Sequence, residues 1–231
     1  VLKEVLGKLL IFERIMYPLL AVFLGLAIYV SHNDIAHFES QMAADDGFFQ
    51  WMIFSTLVFA AIMCFYRANI LKPFRGAVFA TCLIIAGVVF LCFAMDEISW
   101  GQRIFNFQST PFFLTHNTRQ QMNVHHLVIG GFHLNNIVFT VAIKILATLY
   151  FIVLPFFYTK LEKIRAVVNR FAIPLPRYTQ TGAYVVLAGL VSFIPSDLRY
   201  VIFEFGFYWI LVLMMYNPLN DEVFSRVSLV R

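Results

Sequence analysis

The 231-residue sequence is short of charge: 17 Lys and Arg and 13 Asp and Glu amount to only 13% of it, against roughly 25% in an ordinary soluble domain. Hydrophobic residues reach 61% and aromatic residues 17%. A soluble fold leaves about a quarter or more of its chain surface in water, and so few polar side chains cannot cover it. A soluble enzyme is excluded, and so is a disordered, solvated tail. Cysteine is scarce too. Cys64, Cys82 and Cys92 all fall inside apolar runs, where they read as packing groups and not as the framework of a disulfide-built secreted module. No basic run is interleaved with aromatics, so the formal net charge of +4 does not point to nucleic acid. A P-loop, a dinucleotide fingerprint and a Ser/His/Asp nucleophile motif are all missing.

What the chain does have is long apolar runs. They lie at about 14–31, 48–66, 76–95, 136–158, 180–195 and 198–216, and each approaches the roughly 20 residues that cross a bilayer as a helix. None alternates with period 2, as a membrane β-barrel requires. The expected fold is all-α: a polytopic integral membrane protein of about six transmembrane helices, forming one membrane domain over 1–231. The fifth run is short and is joined to the sixth by Pro195, Ser196 and Asp197, where Ser196 or Asp197 can cap the next helix. The opening VLKEVLGKLLIFER is amphipathic and is expected to lie at the interface as a lead-in to the first span, not as a cleaved leader.

Basic residues set the orientation. With the N-terminus inside, the inner segments hold Lys3, Lys8, Arg14, Arg67, Lys72, Arg75, Lys160, Lys163, Arg165, Arg170, Arg177, Arg226 and Arg231. The outer segments hold Arg103, Arg119 and Arg199, and Lys144 is left within a span. This bias predicts a cell (inner) membrane protein with both termini cytoplasmic. All six histidines then fall on the outer, periplasmic side: His32, His37, His116, His125, His126 and His133.

Four of those histidines lie in the one long loop, 96–135, and loops of that length are usually functional. It opens with Asp96-Glu97-Ile98-Ser99-Trp100-Gly101-Gln102-Arg103 directly after an apolar span. A carboxylate pair at that depth requires water, a cation or Arg103 as compensation. Continued helically, Trp100, Ile104 and Phe107 share a face, which predicts a short interfacial helix. Thr110-Pro111 reads as the start of another helix. The stretch His116 to His126 is dense in amides and imidazoles, and Gly130-Gly131 interrupts the apolar segment that follows. Such a glycine-broken segment is a candidate for a dip into the membrane.

The DEISWGQRIF run, followed after Thr-Pro by an Asn-rich stretch ending in NVHHL, resembles a signature of uncharacterised bacterial multi-pass membrane proteins. In those an acidic pair precedes SWGQR and an N-x-x-x-E-x-N-L-H-N element follows. Asp96, Glu97, Ser99, Trp100, Gly101, Gln102, Arg103, Asn117, Asn123 and His125 fit, whereas Gln121 replaces the expected Glu and His126 the expected Asn. About 35 residues are covered, and the resemblance implies no known activity.

Three readings of the loop follow from its residue types. The first is an enzyme acting on a lipid or lipid-linked glycan at the outer leaflet. There Glu97, His125 and Asp96 form the catalytic group, and Arg103 and Arg119 hold a phosphate beside Trp100, Gln102, Asn117 and Asn123. The second is a docking surface in a non-catalytic subunit of a larger membrane complex. The third is a proton- or ion-coupled transporter using an intramembrane pair, Lys144 with Glu204, whose depths match. A divalent metal on His125, His133 and Glu97 is the candidate cofactor, although their spacing matches no ligand motif. The expected partners are membrane lipids, a bound lipid among them, and other membrane subunits, but no nucleic acid. An enzyme site requires a concave outer pocket; a docking subunit requires a flat loop surface.

Overall fold

A computed structural model describes residues 9–134 and 142–225. Calls on either side of these ranges, including the lead-in at 1–8, the start of the fourth run at 136–141 and Arg226 and Arg231, lie outside the described residues. Six principal helices are numbered here in chain order: α1 (Ile11–Asn33), α2 (Phe48–Arg75), α3 (Ala77–Glu97), α4 (Ile143–Lys160), α5 (Tyr178–Val191) and α6 (Arg199–Tyr216). All except α5 are long and apolar enough to cross a membrane. With 14 residues, α5 is about 21 Å long. The run expected at 180–195 is helical only to Val191, because Phe193 and Ile194 close turns on Leu190 and Val191 ahead of Pro195.

α6 forms the middle of the bundle. It buries Val201, Ile202, Phe205, Gly206, Trp209, Ile210 and Leu213, among others, and so has apolar contact on most of its circumference. α1 and α3 instead bury one stripe and leave apolar faces exposed, with Ile15 and Val22 on α1 and Ile84, Ile85 and Val88 on α3. α2 and α3 make a helical hairpin through the single residue Gly76, whose φ of +83° lets the chain reverse without a Cβ clash.

Two kinds of local chemistry hold the bundle together. In α4, Pro155 has no N–H for the carbonyl of Phe151, and a π turn over Leu149–Val153 marks the break. Thr181 Oγ1 on α5 donates to that carbonyl at 2.9 Å, which ties α5 to α4. At the opposite end from the long loop, fully buried Glu13 accepts from Asn217 Nδ2 at 2.7 Å and Gln180 Nε2 at 3.4 Å. Arg67 caps the C-terminal carbonyls of α6 at Met215 and Tyr216, where the helix dipole favours a cation.

The α5–α6 contact depends on a missing side chain. A Cβ built on Gly206 runs into the Leu187 side chain, whereas one on Gly189 meets nothing within 4 Å. Gly206→Ala is therefore expected to destabilise the protein by about 1–3 kcal/mol, read as a lowered unfolding temperature in detergent. Gly189→Ala should melt as the parent does.

Candidate functional site

The loop between α3 and α4 folds over one end of the bundle. α3 ends at Glu97, and Ser99, Trp100 and Gly101 all adopt left-handed backbone, with φ of 48°, 56° and 76°. The short helix Gln102–Phe105 then runs separately from α3. The expected helical continuation through Trp100 is therefore broken: three successive positive-φ residues reverse the chain and turn Trp100 outward. The second start signal holds, with Thr110 at the N-cap and Pro111 as the first residue of the helix Pro111–His116.

Ser99 is fully buried beneath this turn and is a hub for the loop. Asn123 Nδ2 donates to its Oγ at 3.1 Å, and the Oγ donates to Gln121 Oε1 at 3.3 Å. Asn117 donates to the Asn123 carbonyl at 2.8 Å and accepts from the Arg119 N–H at 2.9 Å. Gln102 accepts from the Met122 N–H at 2.9 Å and donates to Ser109 at 2.8 Å. Gln102, Asn117 and Asn123, expected to touch substrate, thus bond within the loop, and Asn123 also lines the cleft. Gln121 also donates to Asp45 Oδ2 at 3.4 Å, which a glutamate in that position could not do.

This frame delivers His125 to the end of α3. Asp96 accepts from the Val124 N–H at 2.7 Å and from His125 Nδ1 at 2.6 Å. The other ring nitrogen, Nε2, lies 3.9 Å from Glu97 Oε1. Glu204, from α6, completes the group: the ligand-type atoms of Glu97, His125 and Glu204 all lie within 4.8 Å of one another. Asp45, Gln50, Tyr200 and His126 line the same concave cleft.

Two expectations about charge are corrected here. Arg103 pairs with Asp46 at 2.7 Å and Asp45 at 3.9 Å, and Arg119 pairs with Asp45. The loop between α1 and α2 thus supplies counter-charges to both guanidiniums. Among the described residues no ion pair joins Lys144 to Glu204. Lys144 Nζ sits 5.6 Å from the centre of the Phe203 ring, while the Glu204 carboxylate turns toward His125 and Glu97. Matching depth placed the two residues at one level but did not fix which way each faces around its helix.

The metal set also changes. His133 is exposed on a two-residue hairpin, Val128–Ile129 with Phe132–His133, closed by Gly130 and Gly131 at φ of 58° and 82°. That is the turn such a glycine pair favours. Glu97, His125 and Glu204 are the residues that could hold an ion. Their 4.8 Å bound is looser than the roughly 4.2 Å between opposite ligands of one ion at about 2.1 Å.

The two adjacent histidines are driven in opposite directions. Burial works against a charge on His125, but the Asp96 hydrogen bond and the charges of Glu97, Glu204 and Asp96 outweigh it and raise its pKa to about 9. Burial and the Arg119 charge lower His126 to about 4. A raised histidine stabilises the fold fully below its ordinary value of 6.5, and that contribution is lost as pH rises through about 9. The unfolding temperature of the parent should accordingly fall between about pH 7 and 10, more steeply than that of His125→Gln. Parallel slopes would remove the ionic clamp.

Comparison with protein-family models, with curated proteins and with solved structures finds no match for this chain. The site must be read from its own groups. Glu204, Asp45, Gln50, His126 and Tyr200 are polar members that sequence reasoning did not assign to it. Only Glu204 carried a signal, as a carboxylate inside an apolar run.

Proposed function

We propose that this chain is a multi-pass membrane enzyme that moves protons at an oxygen atom of a lipid or lipid-linked glycan on the outer face of the cell membrane. The observation that carries the reading is His125, held by Asp96 through Nδ1 while Nε2 faces two further carboxylates in a concave cleft. An imidazole oriented by one carboxylate and facing others combines a proton donor with acceptors. Glu97 takes the proton of a hydroxyl or water whose oxygen forms a bond to the phosphorus or anomeric carbon of the substrate, and His125 donates from Nε2 to the oxygen whose bond to that same atom breaks. The concavity of the cleft favours this reading over a docking subunit, which calls for a flat surface. In this reading α5 also spans, which makes six, both termini are cytoplasmic and the His-rich loop is periplasmic, supported by the distribution of Lys and Arg.

Lipid extracts from cells carrying the parent or Glu97→Gln test the activity. A lipid species should accumulate in the variant and be depleted by the parent; identical profiles would remove the enzymatic reading. Metal retained by the parent through purification and absent from Glu97→Gln would reassign the cleft to metal chemistry. For sidedness, a cysteine at His133 should react with a membrane-impermeant maleimide from outside, and one at Lys163 only after permeabilisation. The reverse pattern inverts the topology.

A further inference from the structure

The cleft around His125 is not isolated. Tyr200 and Glu204 form part of its wall, and the same two residues line a second cleft between α4 and α6. The second cleft is otherwise built from Lys144, Phe203, Phe207 and Tyr208, with Ile143 at its edge. The wall between them is one helical turn of α6, from Tyr200 to Glu204. Glu204 stands about 7–8 Å in from the start of that helix at Arg199. A group in the second cleft is therefore adjacent to the reactive carboxylate without having entered the polar cleft from water.

Lys144 is the informative residue. It is exposed on α4, within a helix long and apolar enough to cross a membrane. Among the described residues its ammonium has a ring contact with Phe203 and no ion pair or hydrogen bond. A lysine on an apolar flank is costly unless an anion or the interface receives it. Of the outer arginines, Arg103 and Arg119 pair with Asp45 and Asp46, and Arg199 stands exposed at the first residue of α6. Lys144 thus has no ion pair among the described residues; Glu204 shares its cleft at longer range, and apolar and aromatic side chains suited to acyl chains surround it.

We propose that the α4–α6 cleft binds a net-anionic phospholipid from within the bilayer, with Lys144 on its phosphate and the acyl chains along Phe203 and Phe207. The headgroup then lies against Tyr200 and Glu204, the wall of the reactive cleft. This rests on the proposed function for the identity of that cleft, and it deepens it by naming the substrate class as anionic phospholipid and the entry as lateral. It also moves the phosphate ligand from Arg103 and Arg119 to Lys144.

The full chain, purified in mixed micelles of equal phosphatidylglycerol and phosphatidylcholine, tests the proposal by native mass spectrometry of retained lipid. The parent should retain one tightly held phosphatidylglycerol, preferred over phosphatidylcholine by about tenfold or more, as a charge-assisted contact implies. Lys144→Met, which keeps the stem and removes the charge, should lose the preference, and Lys144→Arg should keep it. Excess inorganic phosphate should not displace the lipid. Absence of a preference in the parent overturns the proposal even if Lys144→Met fails to fold. An undiminished preference in folded Lys144→Met overturns it, and displacement by inorganic phosphate reassigns the site to a soluble anion. Glu97→Gln should retain phosphatidylglycerol like the parent. If that retention holds while lipid profiles do not respond to Glu97→Gln, the enzymatic reading fails and the lipid site stands.

Discussion

Asp96→Ala should detach the outer loop from the bundle while leaving the helices in place. The carboxylate is 5% exposed and holds both the Val124 N–H and the His125 ring. Removing one member of a buried, hydrogen-bonded charge pair costs about 3–5 kcal/mol, because the remaining partner loses its compensation. That loss should appear as faster hydrogen exchange and proteolysis over 117–127, with exchange in α2 and α3 unchanged. Asp96→Asn keeps an acceptor for Val124 but loses the charge facing His125, so it should fall between Asp96→Ala and the parent. Equal protection of the loop in all three proteins would mean that the Ser99, Gln102, Asn117 and Asn123 frame holds it unaided.

Turnover of the lipid substrate should drop by about 10²–10⁴-fold in both Glu97→Gln and His125→Ala, the usual contribution of a positioned acid or base. The double variant should lose little more than the worse single one, since both groups serve the same proton transfers. His133→Ala should turn over as the parent does, because that residue sits on the exposed hairpin. A His133 effect as large as that of His125 would bring the hairpin into the site. Unchanged turnover in Glu97→Gln, with the fold retained, would end the acid–base reading. The readout is the rate of lipid consumption by purified protein, with unfolding temperature as the check on folding.

The apolar runs made the membrane helices legible, since length and hydropathy act locally and five of the helices follow them. Asp96, Glu97 and His125 were legible as a group because carboxylates at a helix end and a histidine-rich loop had to lie on one face. The path of the loop was not. Gly101 and the Gly130–Gly131 pair signal positive φ, but Ser99 and Trp100 are residue types that rarely adopt it, and tertiary hydrogen bonds to Ser99 hold them there. Arg103 was expected beside Asp96 and Glu97, its nearest carboxylates in sequence. Its partners come instead from a loop about sixty residues earlier, and no local pattern announces such a crossing. Glu204 was expected opposite Lys144, and the two line one cleft without a close ion pair: depth along an axis is readable from residue counts, whereas azimuth depends on how α6 packs.

The reactive group draws one carboxylate from the end of α3 and another from α6, about a hundred residues later in the chain. At roughly 5–20 residues per second, synthesis of the intervening segment takes on the order of 5–20 s. During that interval the nascent protein carries Asp96 and Glu97 in the membrane without Glu204, and at first without His125. Competence therefore arrives late in biogenesis, when α6 inserts beside α2 and the loop closes over it. A ribosome stalled before α6 leaves a fragment that lacks Glu204 and, on the proposed function, the activity that needs the complete cleft.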